Sequence, residues 1–361
     1  MVSLEVDIEK DLGSFQLDVH FRTATSHETF ALLGASGCGK SLTLRAIAGL
    51  MKPDQGCIVL NGRVLFDAEQ HIDVPARKRH VGYLFQQYAL FPNMTVEKNV
   101  IAGAEGATRE ERLERAHREI ERMQLSGLES LKPAQLSGGQ QQRCALARIL
   151  AGSPQILLLD EPFSALDGYL RWQLELELAD TLKSFPGGAI FVSHNRDEVY
   201  RLADEICVIA KGRTEECAPV HEFFAHPKTL AAALISGCKN ISKAQVLPDG
   251  RLDCTDWGVV LETEGAAPAD TTHAGIRAHC FRVAEADEAC TNAISCTVVR
   301  TIESPFSVIC MLQTPGTAEL RYELGKDEWA RLDNPSELVL SCDPSSVMPL
   351  VSDAKGDGRD A

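Results

Sequence analysis

The sequence predicts an α/β domain built on a parallel, helix-covered sheet over residues 1–236, followed by a small all-β domain over residues 237–351. Three observations lead there. The aliphatic runs Phe30-Ala31-Leu32-Leu33, Ile156-Leu157-Leu158-Leu159 and Ala189-Ile190-Phe191-Val192 each end in glycine or polar residues and run on into helical patterns, as buried parallel strands with helical crossovers do. Beyond about residue 236 the texture changes to short alternating stretches divided by turn residues. With 361 residues, 44% hydrophobic and 24% charged, the chain can bury two cores.

In chain order, Leu4, Val6, Ile8 and then Phe15, Leu17, Val19, Phe21 alternate on either side of Asp11-Leu12-Gly13, a β-hairpin by period and turn chemistry. The run ending at Leu33 enters a glycine-rich turn and a helix marked by Leu42, Leu44, Ile47 and Leu50. Thr108 and Glu111 read as a capping box, opening a helix through Leu113, Ala116, Ile120 and Met123 that Gly127 stops. Downstream, strands are expected at 243–246, 258–262, 275–283, 294–302, 307–312, 319–324 and 337–340, with turns at Pro248-Asp249-Gly250 and Pro315-Gly316. Together they read as a small barrel or sandwich. Residues 352–361 are polar and read as a frayed tail.

Composition narrows the function. The net charge of −15 divides into −6 before residue 237 and −9 after it, which argues against a general grip on nucleic acid or anionic lipid. No apolar run approaches the roughly 18 residues of a bilayer span. The N-terminus MVSLEVDIEKDLG is acidic where a signal peptide is basic, so the chain is expected to stay where it is made. Twelve cysteines are scattered with no C-x-x-C, so we read them as reduced thiols, mostly small core residues, and expect neither a zinc knot nor a dithiol site.

Four stretches carry chemistry. Gly34-Ala35-Ser36-Gly37-Cys38-Gly39-Lys40-Ser41 matches G-x-x-x-x-G-K-[ST] between a strand and a helix, and with Leu42 it forms the expected nucleotide contact. Its glycines let backbone N–H groups wrap a phosphate, Lys40 would reach the β- and γ-phosphates, and Ser41 would ligate Mg²⁺. Cys38, at the helix N-terminus inside this loop, is expected to react with thiol reagents and to be protected by ATP. Asp160-Glu161 places two carboxylates at the C-terminal end of a buried strand, where α/β sheets bind ligands; Asp160 suits the Mg²⁺ shell and Glu161 the polarising of a water. Ser137-Gly138-Gly139-Gln140 reads as a capping box, but its two glycines leave a bare helix start fit for an anion held by another subunit. In isolation Gln86 reads as a surface polar residue. So does His194, where Ser193 or Asn195 would simply cap the next helix.

Lys40-Ser41, Gln86, Leu136 to Gln140, Asp160-Glu161, Ser164 to Asp167 and His194 fall in the order and approximate spacing of the ATPase subunits of ABC transporters, which about residues 1–236 resemble. The resemblance implies an ABC ATPase fold of the P-loop NTPase type with a helical subdomain at about 87–150. It further implies a homodimer with each ATP held between Lys40 of one copy and Ser137, Gly138 and Gly139 of the other. On the same ground Lys40, Gln86, Glu161 and His194 are catalytic, Ser41, Gln86 and Asp160 surround Mg²⁺, and Asp167 communicates across the dimer. Phe15 reads either as an adenine-stacking ring or as ordinary core. Asn195 stands where the family usually has aspartate, and Leu42 where threonine is common; neither change removes a phosphate or metal ligand.

The segment Val81 to Val96 resembles importer subunits that serve periplasmic or lipoprotein solute-binding proteins, and the C-terminal part, with Gly275-Ile276-Arg277, resembles their TOBE extension. The N-terminal hairpin, residues 32–37 and 65–67 look most like the molybdate and sulfate branch. That implies an ATPase subunit at the cytoplasmic face of the membrane, energising oxyanion uptake (molybdate, sulfate or tungstate) through a separate permease. Iron, polyamine, phosphonate and sugar importers share most of these residues and remain the alternative. A soluble ATPase acting on DNA or ribosomes is disfavoured by a single motif set, no coiled-coil insertion and the acidic balance. For the C-terminal domain two readings stand: a regulatory anion site using Arg277, Arg282 or Lys243, and an anion-free dimerisation domain.

Overall fold

A computed structural model describes residues 4–23, 28–164, 168–284, 290–333 and 335–352, with the backbone alone described at 168–170. The chain divides into two compact units, Met1–His221 and Glu222–Ala361.

In the first unit β1 (Leu4–Asp11) and β2 (Gln16–Arg22) form the expected hairpin, with Ile8 opposite Val19. Its turn needs a glycine: Gly13 has φ 79° and donates its N–H to Asp11 Oδ1 at 2.7 Å. Next come β3 (Thr29–Leu33), every residue buried, and α1 (Lys40–Ala48). An antiparallel wing of β4 (Gln55–Leu60), β5 (Arg63–Asp67) and β6 (Ile72–Asp73) follows. These strands are short and half-buried and were not anticipated. Then β7 (Val81–Leu84) leads to α2 (Val96–Gly103), α3 (Arg109–Arg122) and α4 (Gly138–Leu150). The remaining elements are β8 (Ile156–Asp160), α5 (Gly168–Ser184), β9 (Gly188–Ser193), α6 (Arg196–Leu202), β10 (Glu205–Ala210) and β11 (Arg213–Pro219).

Among the described residues these strands make one eleven-stranded sheet, ordered β6-β5-β4-β1-β2-β11-β10-β3-β9-β8-β7. Its β10-β3-β9-β8-β7 segment is parallel throughout, as the aliphatic runs predict. The capping box of α3 is present, but the helix ends at Arg122 rather than Gly127 because the chain already turns left-handed at Gln124, φ 54°.

The second unit begins within α7 (Val220–Ala225) and continues with α8 (Leu230–Ile235), which the sequence assigned to the first domain. The reason is contact with the chain's last strand: Leu230 donates its N–H to Val351 O at 2.9 Å, and Ala233 packs on Met348 and Leu350. Next come β12 (Asn240–Val246), β13 (Leu252–Cys254), β14 (Val259–Leu261), β15 (His273–Ile276) and β16 (Arg282–Val283). The unit ends with β17 (Ile294–Glu303), β18 (Ser307–Gln313), β19 (Glu319–Gly325), α9 (Lys326–Arg331), β20 (Glu337–Ser341) and β21 (Met348–Leu350).

Two five-stranded sheets result, β14-β13-β12-β15-β21 and β16-β20-β17-β18-β19, around a core that includes Trp257, Phe281, Leu312 and Leu340. The strand expected over 275–283 is broken by a short helical turn at Ala278–Cys280. Arg277 is not a free anion ligand. Its guanidinium donates to Phe224 O at 2.5 Å, Ser236 O at 3.2 Å and Ser236 Oγ at 3.1 Å, bracing the chain instead. Lys243 and Arg282 lie on different sheets. All twelve cysteines are free and eight are buried, in keeping with the core reading. The expected tail beyond Ser352 lies outside the described residues.

Candidate nucleotide-binding site

The parallel segment of the sheet sets the site. β3 is flanked by β9 and β10, so the loop leaving Leu33 emerges at the same sheet edge as the ends of β8 and β9. A Cβ on Gly34 would lie 2.2 Å from Ile209 O, which presses the loop onto β10. Gly37 and Gly39 take φ 80° and 110°, a region other residues avoid. Ala35, Ser36 and Gly37 are exposed, whereas Cys38, Gly39 and Lys40 are buried; Leu42 is half-buried on α1. No side chain caps α1 and no acid occupies its first turn, so its leading N–H groups suit an anion.

Lys40, 5% exposed, donates its ammonium to Gly34 O at 2.7 Å and Ala35 O at 2.8 Å. The same nitrogen is 3.6 Å from Cys38 Sγ. Cys38 is itself only 6% exposed, its side chain turned under the loop toward Lys40, which limits access to the thiol expected to be reactive.

Asp160 receives two hydroxyls. Ser41 Oγ donates to Oδ1 at 2.7 Å and Tyr83 to Oδ2 at 2.8 Å. Burial, and then the neighbouring carboxylate, push the Tyr83 phenol well above its usual range. Glu161 follows in a left-handed conformation, φ 47°, its N–H donating to Val192 O at 3.1 Å. Its carboxylate accepts from Gln86 Nε2 at 3.0 Å and lies 3.6 Å from His194 Nδ1. The imidazole of His194 is 60% exposed. It sits on a turn tied down by its neighbours. Asn195 caps α6 by accepting from Asp197 N–H, and Ser193 Oγ accepts from Asn195 N–H while donating to Glu198. Of the two residues read as alternative caps, Asn195 is the one that caps α6.

The structure thus gathers Lys40, Ser41, Asp160, Glu161, Gln86 and His194 at one sheet edge. Ser41 and Asp160 supply hard oxygen donors of the kind Mg²⁺ takes alongside nucleotide phosphates. Among the described residues, no cluster of three or more His, Cys, Asp or Glu would hold a metal unaided. The Ser41 and Asp160 oxygens fit a cation shared with nucleotide phosphates.

Ser137 and Gln140 form the predicted capping box at the head of α4, with bonds of 3.3 and 2.9 Å. Gly139 has a packing reason to be glycine, since a Cβ there would lie 3.1 Å from Leu174 Cδ1 on α5. Phe15 is half-buried against the core, its ring 3.3 Å from where a Gly39 Cβ would stand. Asp167 lies outside the described residues.

Two contributors escaped the sequence reading. Tyr83 looks like any alternating strand residue, and Arg79, fully buried behind α1, like any surface cation. Only three-dimensional neighbours distinguish them.

Residues 18–164 match the family model described as ABC transporter. The sulfate/thiosulfate import ATP-binding protein of Synechocystis is 41% identical over 249 residues, 67% of this chain and 66% of that protein. The Fe(3+) ions import ATP-binding protein of Haemophilus influenzae is 41% identical over 230 residues, 63% of this chain and 65% of that one. The molybdenum import ATP-binding protein of Paramagnetospirillum magneticum is 37% identical over 224 residues, 62% and 61%. The aligned stretch thus spans less than two thirds of each relative. The solved structure of the ATP-binding cassette MJ0796, a dimer in a post-hydrolysis state bound to ADP and Pi, matches with a TM-score of 0.51 and 29% identity over 61% of this chain and 99% of that one. The segment that builds the phosphate loop and the Asp160-Glu161 edge is the one that matches the ABC transporter family.

Proposed function

We propose that the chain hydrolyses ATP as the energising subunit of an importer of inorganic oxyanions, sulfate or molybdate above all, docked on a separate membrane permease at its cytoplasmic face. The observation that carries the ATPase reading is the convergence of Lys40, Ser41, Asp160, Glu161, Gln86 and His194 on one edge of the parallel sheet. Lys40 would exchange the Gly34 and Ala35 carbonyls for β- and γ-phosphate oxygens. Ser41 and Asp160, with Gln86, would hold Mg²⁺, which neutralises charge on the phosphates. Glu161 would orient and deprotonate the attacking water, and His194, already beside it and open to solvent, would meet the γ-phosphate.

The bare, capped start of α4 at Ser137, Gly138 and Gly139, with Gln140 in the cap, would close over the nucleotide of a second copy, and Asp167 would signal between the copies. Two closed copies would then move the permease, which receives its solute from a binding protein. Among the described residues no helix is long and apolar enough to cross a membrane. The oxyanion assignment draws on the sulfate/thiosulfate and molybdenum relatives. The iron relative, at the same 41% identity, supports a second reading in which the cargo is ferric iron.

The test is hydrolysis of Mg·ATP by the purified chain and its Lys40→Ala variant, with uptake of labelled sulfate, molybdate and iron by source cells carrying each form. Hydrolysis that survives Lys40→Ala refutes the ATPase reading. Iron uptake lost while oxyanion uptake persists refutes the cargo.

A further inference from the structure

Tyr83 takes no part in the reading above, yet it holds half of the Asp160 carboxylate. Its hydroxyl donates to Oδ2 at 2.8 Å while Ser41 Oγ donates to Oδ1 at 2.7 Å. The two donors come from different elements, the first turn of α1 and strand β7, whose Tyr83 pairs with Leu158 of β8. A carboxylate is broad about its terminal torsion, so one hydrogen bond fixes one oxygen and leaves the plane free to turn. A second, charge-assisted bond to the other oxygen fixes the plane. At 5% exposure Asp160 has little water to offer in place of a lost donor.

Tyr83 is also tied to the segment that follows it. Its ring lies against Phe85, centroids 4.5 Å apart, and Gln86 comes next, reaching Glu161 at 3.0 Å.

We propose that Tyr83 is a positioning residue for the divalent cation of the nucleotide site, fixing the Asp160 carboxylate so that Oδ1 is presented beside the Ser41 hydroxyl. The inference rests on the Mg·ATP reading of the site. Mg²⁺ tolerates little departure from octahedral geometry, so a carboxylate free to swing is a poorer partner than a fixed one. Partners of this kind, one bond removed from a metal, typically change its affinity about 10–100-fold when they are lost.

The test uses the full chain with Mn²⁺ as the probe, followed by electron paramagnetic resonance in the presence of a non-hydrolysable ATP analogue, beside binding of a fluorescent ATP analogue in EDTA. We expect Tyr83→Phe to bind Mn²⁺ in the nucleotide complex about ten-fold more weakly, with metal-free nucleotide affinity within about two-fold of wild type. Tyr83→Met, which lacks the ring as well, should show the same loss of Mn²⁺ and thereby assign it to the hydroxyl. Unchanged Mn²⁺ affinity in Tyr83→Phe overturns the proposal. So does an equal loss of metal-free nucleotide binding, which marks a merely structural role. Failure of the wild-type chain to bind Mn²⁺ with the nucleotide refutes the underlying ATP reading instead, and the inference falls with it.

Discussion

Replacing Arg79 with methionine tests how the phosphate-loop helix is anchored. Arg79 is fully buried and donates Nε to Val74 O at 2.7 Å, Nη1 to Ala46 O at 2.8 Å and Ile47 O at 2.9 Å, and Nη2 to Asp73 Oδ1 at 3.0 Å. Ala46 and Ile47 lie in the last turn of α1, where carbonyls lack helical partners and a cation complements the helix dipole. Methionine keeps most of the stem and removes all four bonds. Asp73, with a side chain 42% exposed, regains water, and Ala46 O keeps the Gly49 N–H at 3.1 Å.

Val74 O and Ile47 O are then short of a donor, at about 1–3 kcal/mol each. Relief of the guanidinium's desolvation, which already lowers its pKa, returns part of that, leaving about 2–4 kcal/mol. For a unit of this size the unfolding temperature should fall by roughly 4–16 °C. Scanning calorimetry of wild type and Arg79→Met reads it. A fall below about 2 °C would show that these carbonyls find other donors and that the clamp contributes nothing measurable.

Glu161→Gln should keep ATP binding and accumulate an ATP-bound dimer by sedimentation, because the amide can orient a water but cannot take its proton; hydrolysis at the wild-type rate would remove Glu161 from that role. Mixing Lys40→Ala with Ser137→Arg chains should leave at most one intact composite site, and full activity from a monomer would sink the shared-site reading. Cys217, the exposed thiol, should be the first alkylated, with Cys38 slow and slower still under ATP; mass spectrometry showing Cys38 labelled first would contradict its burial. Burial holds the Glu198 carboxyl above its ordinary value of 4.5, so the native chain keeps a proton that the unfolded chain has released, and stability is lost as pH rises from there through the raised value. Glu198→Gln should therefore gain stability over wild type at neutral pH and not at pH 4; an equal urea midpoint shift at both would refute the linkage.

Legibility tracked how local the cause was. The phosphate loop, the capping boxes at Thr108 and Ser137 and the three buried aliphatic strands declare themselves within a dozen residues, and each stands where expected. What misled was contact across the sequence. Arg277 reads as a candidate anion ligand, but its partners are carbonyls of Phe224 and Ser236, far from it along the chain. Gly139 looked like an opening for a ligand, and Leu174, on α5 beyond strand β8, gives it a packing reason as well.

The adjacent carboxylates Asp160 and Glu161 show how one strand end serves two tasks. Were β8 to continue, its side chains would alternate between the two faces of the sheet. Asp160 is the last strand residue, enclosed by Ser41 and Tyr83. At Glu161 the backbone turns left-handed instead, a conformation that costs a non-glycine residue of order 1 kcal/mol. The fold supports that turn from both sides: Glu161 N–H donates to Val192 O at 3.1 Å, and Ser164 Oγ donates to Glu161 O at 3.1 Å. The turn delivers the second carboxylate away from the Ser41 pocket, to Gln86 and His194. A carboxylate enclosed by two hydroxyl donors is fixed in place. One resting on an amide at 3.0 Å and an exposed imidazole at 3.6 Å is free to shift when either loop moves. The strain at Glu161 thus separates a fixed carboxylate from a responsive one within a single peptide unit.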